Sequence, residues 1–410
     1  MKKNNLYLIL SAIIVISGCA GSGSKKPDNM KNEFEKGTYG YDLSFFEKRG
    51  ISTIELKDPE SGSAILLIPA YQGRVMTSSS SGENGKSYGW INYKHIESGK
   101  MSSQFNPFGG EERFWLGPEG GPYSIYFSKG AEQVLPNWKV PAGLDTDTFN
   151  IESIAQNRAV FSKDLSLTNA SGTTLDVNIN RIVKLLNRRQ AGDDLGMTLD
   201  PSLSFVAYES ENTLLNRGRD WNADSGFLSI WLLSMFNPSE KSVVFIPFKK
   251  ISGKAVTDDY FGKVPADRLI IKENMLFFKV DGKHRSKIGI SPEAAMNWCG
   301  SYDPDNKTLT LLWLSLPVDK KPYVNSKWGK QDDPLKGDAV NSYNDGPVED
   351  GSIMGPFYEI ESSSPAAILR SGESITHTQR IFHISGDESK LSEITIKLFG
   401  ISLGEIQEIF

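Results

Sequence analysis

Glu359 and Glu361 stand two residues apart in the segment GPFYEIESSSPAAILRSGESITHTQRIFHI, residues Gly355 to Ile384. On an extended strand, alternate side chains share a face, so Phe357, Glu359 and Glu361 fall on one side and Tyr358 and Ile360 on the other. Two carboxylates so placed are roughly 7 Å apart at their Cα atoms. That spacing suits acid and base work on a small polar ligand, or a polar wall that packs on nothing. Glu361 is the first candidate for a catalytic carboxylate and Glu359 the second. His377 and His383 share one parity on the following strand, and a strand histidine is more often satisfied or solvated than catalytic.

Three further windows carry polar and aromatic side chains. Tyr71–Thr77 (YQGRVMT) places Arg74, a planar fork of donors, directly after Gly73, which tolerates close approach or a positive φ. The alternative there is a strand turn with a surface arginine. Asn106–Tyr123 (NPFGGEERFWLGPEGGPY) is too rich in glycine for an ordinary helix or strand and reads as an ordered loop. In it Trp115 could stack on a sugar ring while Glu111, Glu112 and Arg113 bond hydroxyls; the alternative is a structural plug at one end of a sandwich. Its glycines are followed by no Gly-Lys-Ser/Thr, so they do not form a phosphate loop. Tyr323–Gly355 reads as a long loop whose amides, carboxylates and aromatics, among them Trp328, Asn341, Tyr343 and Asp345, suit carbohydrate recognition. No cofactor is expected and no metal-ligand set is read. Ca²⁺ is the one ion these oxygen donors would suit, although Asp303–Asn306 and Asn344–Gly346 fit turns better than an ion-binding loop. The sequence has no His-Glu-x-x-His, no paired cysteines and no Gly-x-Ser-x-Gly elbow.

The elements that must position these residues are mostly strands. Apolar runs at Ala64–Ile68, Phe227–Phe236, Ser242–Phe248 and Leu309–Leu316 are bounded by turn residues, and Arg268–Val280 reads as two runs split at Glu273-Asn274. Helical patterns are confined to Tyr39–Lys48, with Asp42 as its expected N-cap, to Ser389–Phe399 capped by Asp387, and to Leu403–Phe410. Helices do not alternate with strands, which excludes doubly wound and TIM architectures. No linker divides the interior, so residues 38–410 are expected to form one large all-β domain.

The N-terminus carries Lys2 and Lys3, an apolar stretch from Leu6 to Ile16 too short to span a bilayer, and then Ile16-Ser17-Gly18-Cys19. The last four residues resemble a bacterial lipobox. The resemblance implies cleavage after residue 18, lipidation of Cys19, and a flexible tether over residues 19–37. It also implies an outer-membrane lipoprotein facing the periplasm, with the cell surface as the alternative. Cys299 is then the only thiol left, and it reads as a small buried hydrophobe. The chain carries 45 Lys and Arg against 50 Asp and Glu, a net charge of −5, which argues against nucleic acid as a partner. The basic group Arg181, Lys184, Arg188 and Arg189 is expected in a solvated turn.

The Gly355–Ile384 segment resembles the C-terminal strands of galactose mutarotase-like (aldose 1-epimerase-like) proteins, which carry a late-strand glutamate, then a proline, a Gly-Glu turn and a Thr-rich strand. The resemblance implies a large antiparallel β-supersandwich with a few short peripheral helices, and a saccharide ligand. In the epimerases the late glutamate is the base and a mid-chain histidine the acid. Glu361, which precedes Pro365, matches the base; no histidine among His95, His284, His377 and His383 stands in the expected motif. In mutarotase-like proteins an early strand similar to that around Arg74 lies near the sugar. The overall pattern also resembles a family of bacterial lipoproteins of unassigned activity, over nearly the whole mature chain. Three functions remain open: a mutarotase-like protein acting on a saccharide, a non-catalytic carbohydrate-binding lipoprotein, or a glycoside hydrolase or lyase pairing Glu111 or Glu112 with Glu361.

Overall fold

The computed structural model describes residues 34–348 and 350–410. The expected signal peptide, Cys19 and most of the tether lie outside the described residues. In chain order the elements begin with α1 (Tyr39–Glu47), β1 (Ile54–Lys57), β2 (Ala64–Ile68), β3 (Arg74–Ser79) and α2 (Tyr93–Ser98). They continue with β4 (Arg113–Gly117), α3 (Ala142–Asp145), β5 (Asn150–Ala155), β6 (Arg158–Thr168), β7 (Thr174–Leu186), α4 (Arg188–Leu195), β8 (Ser204–Asn216) and β9 (Ser229–Phe236). Next come β10 (Val243–Pro247), β11 (Val256–Thr257), β12 (Leu269–Ile271), β13 (Met275–Lys279), β14 (Ser286–Ile290), β15 (Trp298–Asp303) and β16 (Thr308–Leu314). The last are β17 (Val340–Asn344), β18 (Tyr358–Ser363), β19 (Ser374–Ser385), α5 (Glu388–Phe399) and α6 (Leu403–Gln407).

All strand pairs are antiparallel, and the strands form two large sheets and a small one. The ten-stranded sheet runs β12-β13-β10-β15-β16-β19-β8-β7-β6-β5, and the six-stranded sheet β11-β14-β17-β18-β9-β4. Strands β1 to β3 make a third, three-stranded sheet. The architecture is the expected all-β sandwich with short helices at its margin. Leu312, Ile381 and Val244 of the larger sheet share one buried cluster with Leu232, Ile360 and Ile288 of the smaller. The opposite face of the ten-stranded sheet is covered by helices. Phe245, Phe277, Leu311 and Phe382 cluster there with Leu391 and Ile394 of α5 and Leu403 and Ile406 of α6. Asp387 caps α5 by accepting from the Ser389 amide, as its position suggests.

The interior between the sheets is not wholly apolar. On β7 the buried side chains Leu175, Val177, Ile179, Val183 and Leu185 all point inward, and Arg181 has the same parity. Its guanidinium donates to Glu112 Oε1 at 2.7 Å, Asn212 Oδ1 at 2.7 Å and the Gly73 carbonyl at 3.2 Å. Glu112 Oε2 accepts from Ser210 Oγ at 3.0 Å and Gln379 Nε2 at 2.8 Å. Gln379 Oε1 accepts from Ser362 Oγ, which also bonds His377 Nε2 at 2.8 Å. A second group joins Glu111 Oε1 to His383 Nε2 at 3.0 Å and to Ser78 Oγ at 2.8 Å. Both strand histidines are therefore buried and partnered, and burial pulls His377 down to about 3.

Several expectations are corrected here. Arg181 is fully buried rather than in a solvated turn, because its parity on β7 turns it inward. The N-cap of α1 is Thr38, whose hydroxyl accepts from the Tyr41 amide; Asp42 sits inside the helix, buried, and takes hydrogen bonds from Ser87 and Tyr93. Residues 113–117, expected in a loop, are a buried edge strand of the six-stranded sheet, and residues 340–344 of the other expected long loop are a strand within it. Cys299 is buried and its thiol is pushed up to about 12 by burial, which makes it inert at neutral pH. Among the described residues no helix is long and apolar enough to cross a membrane.

Candidate functional site

The register of the six-stranded sheet gathers the candidate side chains. Directly paired residues share a face. Glu361 pairs with Asn341 on one side and Leu233 on the other; Glu359 pairs with Tyr343 and Met235. Arg113 pairs with Leu233, Trp115 with Trp231, and Lys287 with Tyr343. One face thus carries Arg113, Trp115, Trp231, Glu359, Glu361, Asn341, Tyr343 and Lys287, while the other face packs on the ten-stranded sheet. The glycine at 289 lets another carboxylate approach this face. A Cβ there would stand 2.1 Å from Asp338 Oδ2, so only glycine leaves room.

Glu361 lies at the centre of this face and is nearly inaccessible. Its Oε2 accepts from Trp231 Nε1 at 2.8 Å and from Lys287 Nζ at 2.8 Å. Its Oε1 is buried and has no hydrogen-bond partner among the protein atoms. Glu361 lines a cavity of about 20 Å³ together with Trp231, Lys287, Tyr260, Asp338, Asn341 and Ser229. Ser229 Oγ is likewise buried without a partner. A space of that size holds about one water molecule. Tyr260 donates to Asp338 Oδ2 at 2.6 Å, and Asn341 Nδ2 donates to the Tyr260 hydroxyl at 3.2 Å, which fixes that wall.

The charges around Glu361 differ in their tendency to ionise. Burial raises Glu359 to about 8, Glu361 adds to the rise, and Arg113, whose Nη2 is 3.5 Å away, opposes it. Burial also raises Glu119, on the chain leaving β4, with Glu361 adding again and Lys287 opposing. Burial disfavours the Lys287 ammonium, but Glu361 and Glu119 outweigh it and hold the group above its ordinary range. The face therefore presents Glu359, which keeps a proton at neutral pH, beside Glu361, which is ion-paired, with Glu119 shifted in the same direction as Glu359. That is the arrangement by which one site can hold both an acid and a base.

The covering layer comes from two loops. Trp328 stacks with Trp138 at 6.3 Å between ring centroids and meets Phe127 edge-on at 5.1 Å. Gln133 ties the loops together. Its Oε1 accepts from the Gly121 and Gly329 amides, each at 2.8 Å, and its Nε2 donates to the Gly121 carbonyl at 2.8 Å.

The structure splits the candidate residues into groups. Glu361 and Asn341 line the same cavity, and Glu359, Arg113 and Trp115 lie beside it on the same face; Arg113 stands 4.0 Å over the Trp115 ring. Trp328 belongs to the covering layer. Tyr343 and Asp345 lie farther along, where Tyr343 donates to Asp345 Oδ1 at 2.7 Å and Asp345 Oδ2 takes the Gly355 amide at 3.0 Å. Glu111 and Glu112 do not line this cavity. Residue 112 has the opposite strand parity to Arg113 and points between the sheets, and Glu111 is held by His383. Arg74 is fully buried and donates to the Gly109 carbonyl at 2.6 Å and to Gln72 Oε1 at 2.8 Å; burial first, and then Arg113, pull it down to about 9. Asp338 falls within the Tyr323–Gly355 window, whereas Lys287, Trp231, Tyr260, Ser229 and Glu119 escape the sequence reading. Glu119 alone left a signal, since it shares the parity of Arg113, Trp115 and Gly117. Among the described residues no group of three or more His, Cys, Asp or Glu is arranged to hold a metal ion.

A family model described as a family of unknown function, DUF6786, matches residues 37–410. The chain belongs to that family. No curated protein matches this DUF6786 member by sequence. Among solved structures, it is similar to a galactose mutarotase-like protein from Lactobacillus casei, with 10% identity, 81% of this chain and 100% of that chain covered, and a TM-score of 0.47. It is also similar to a galactose mutarotase related enzyme from Lactobacillus acidophilus, with 10% identity, 81% and 97% covered, and a TM-score of 0.47.

Proposed function

We propose that this DUF6786 protein recognises a saccharide at the Glu361 face, as a periplasmic lipoprotein anchored in the outer membrane through Cys19. The observation that carries the reading is the unpartnered Oε1 of Glu361, a buried carboxylate oxygen facing a cavity walled by tryptophan and tyrosine. A buried acceptor without a partner costs about 1–3 kcal/mol, which a donated hydroxyl recovers. Aromatic faces beside it suit the apolar face of a sugar ring. The cavity admits one hydroxyl but no ring, so a whole ring would reach Glu361 only if residues around the cavity move apart.

The same groups support acid and base chemistry. Glu361 Oε1 would take the anomeric hydroxyl proton, while Glu359 or Glu119, each holding a proton more firmly than an ordinary carboxyl, would protonate the ring oxygen. That opens the ring, and reclosure on the other face exchanges the anomers. Non-catalytic binding is the second reading, favoured by the smallness of the cavity. Pairing of Glu361 with Glu111 or Glu112 is not retained, since both of those carboxylates are engaged between the sheets.

The test is saccharide binding by calorimetry and anomer exchange by NMR, with wild type and Glu361→Gln. Exchange above buffer that Glu361→Gln abolishes supports catalysis; binding without exchange supports recognition alone. Failure to bind any saccharide across a broad glycan panel would sink both. Loss of membrane fractionation in Cys19→Ala checks the anchor.

A further inference from the structure

Beyond the Tyr260 and Asp338 wall lies a second cavity, an open cleft of about 680 Å³ that shares those two residues with the Glu361 cavity. It is of a size that takes small ligands, whereas the inner cavity is not. A saccharide reaching Glu361 from this side would therefore sit mostly in the cleft.

The cleft is lined by Lys254, Lys320, Lys321, Lys327 and Lys336, against Glu293 and Asp338 as the acids. Lys254 and Lys327 share one partner outside the cleft, Asp259, at 3.7 and 3.0 Å. Lys320, Lys321 and Lys336 are exposed and form no ion pair with any described residue. Asp338 Oδ2 is already taken by the Tyr260 hydroxyl, and even with both acids ionised five ammonium groups face two carboxylates. A concentration of ammonium groups at one cleft is not a consequence of overall composition, since the chain is acidic, with a net charge of −5. Concave walls carrying one sign of charge focus the field on a ligand of the other sign. The Tyr260 ring, with Lys327 Nζ 5.5 Å from its centroid, offers an apolar face within the same lining.

We propose that this cleft selects a saccharide bearing carboxylate or sulfate groups, whose anions meet Lys320, Lys321 and Lys336 while the ring lies toward Tyr260. The inference rests on the saccharide reading of the Glu361 face and adds the charge of the ligand to it.

The experiment titrates the full chain with an oligogalacturonate and its carboxyl-reduced counterpart, and with a chondroitin sulfate oligosaccharide and its desulfated form, at low and high salt. The first pair tests carboxylate and the second sulfate. The same titrations are run on Lys320→Gln/Lys321→Gln/Lys336→Gln, whose exposed positions leave thermal unfolding unchanged. At least one acidic saccharide should bind about tenfold or more tightly than its neutral counterpart, with an advantage that falls as salt rises and is lost in the triple variant. Equal binding of neutral and acidic forms, or an unaltered triple variant, overturns the charge inference and leaves the saccharide reading standing. If neither neutral nor acidic saccharides bind, both fall.

Discussion

Replacing Lys287 by methionine isolates the interaction on which the site depends. The methionine keeps much of the apolar stem and removes the ammonium. In the native protein that ammonium is 2.8 Å from Glu361 Oε2, with side-chain exposures of 12% and 1%. At that separation the Coulomb attraction is about 6 kcal/mol at an effective dielectric of about 20. The desolvation of both ions offsets much of this in the intact pair, but not in the variant, where Glu361 would be left buried with Trp231 as its one donor. Removing one member of a buried pair costs about 3–5 kcal/mol. Glu359 and Glu119 should add little, because their raised carboxyls are inclined to hold protons. Urea denaturation at neutral pH measures the loss. The double variant Lys287→Met/Glu361→Gln should recover more than half of it, since glutamine can still accept from Trp231 without carrying charge. A loss below about 1 kcal/mol, or strictly additive costs in the double variant, would refute the claim that a desolvated ion pair organises the face.

Three other outcomes follow from the same geometry. Glu359 stands at about 8 in the folded protein against an ordinary 4.5, so the native state binds the extra proton between those values. Stability should accordingly be highest below about pH 4.5 as far as this group is concerned and fall toward pH 8, and Glu359→Gln should flatten that slope in urea midpoints measured across pH. Gln133→Ala removes the hydrogen bond from Gly329 that joins the covering loops and two more with Gly121 within one of them, so the Gly121 and Gly329 amides should exchange hydrogen faster while those of α5 do not change. Gly289→Ala should cost about 1–3 kcal/mol by thermal unfolding, through displacement of Asp338.

The strands that pack on both faces were legible from their apolar runs, β2 to the residue. The polar strands were not. β17 reads Val-Asn-Ser-Tyr-Asn because Asn341 and Tyr343 look onto the site face while Ser342 and Asn344 make hydrogen bonds on the other. No hydrophobic alternation survives there for a sequence reading to detect. β4 was hidden by the glycines around it, and with it the parity that separates Arg113 and Trp115 from Glu112. Glu361 was legible because its own strand alternates cleanly. Its partners Lys287 and Trp231 come from strands far away in sequence, and a pairing register fixed only by the folded sheet brings them together. Arg181 is different: five inward hydrophobes of its own parity flank it on β7, a pattern present in the sequence that the expectation of a solvated turn overlooked.

The Arg181 cluster also bears on how the two sheets find their alignment. Its members come from β7, β8, β18, β19 and the residue before β4, and Arg181, Glu112 and Gln379 are each satisfied by partners outside their own strand. Hydrophobic side chains tolerate a slipped pairing as long as they remain covered. This cluster does not, because a shift of β7 by one residue would turn the guanidinium outward and strand the Glu112 carboxylate in the interior. Misaligned but compact arrangements of the long β7–β8–β19 strands are thus penalised electrostatically, and the position of every side chain on the opposite sheet, Glu361 included, inherits that accuracy.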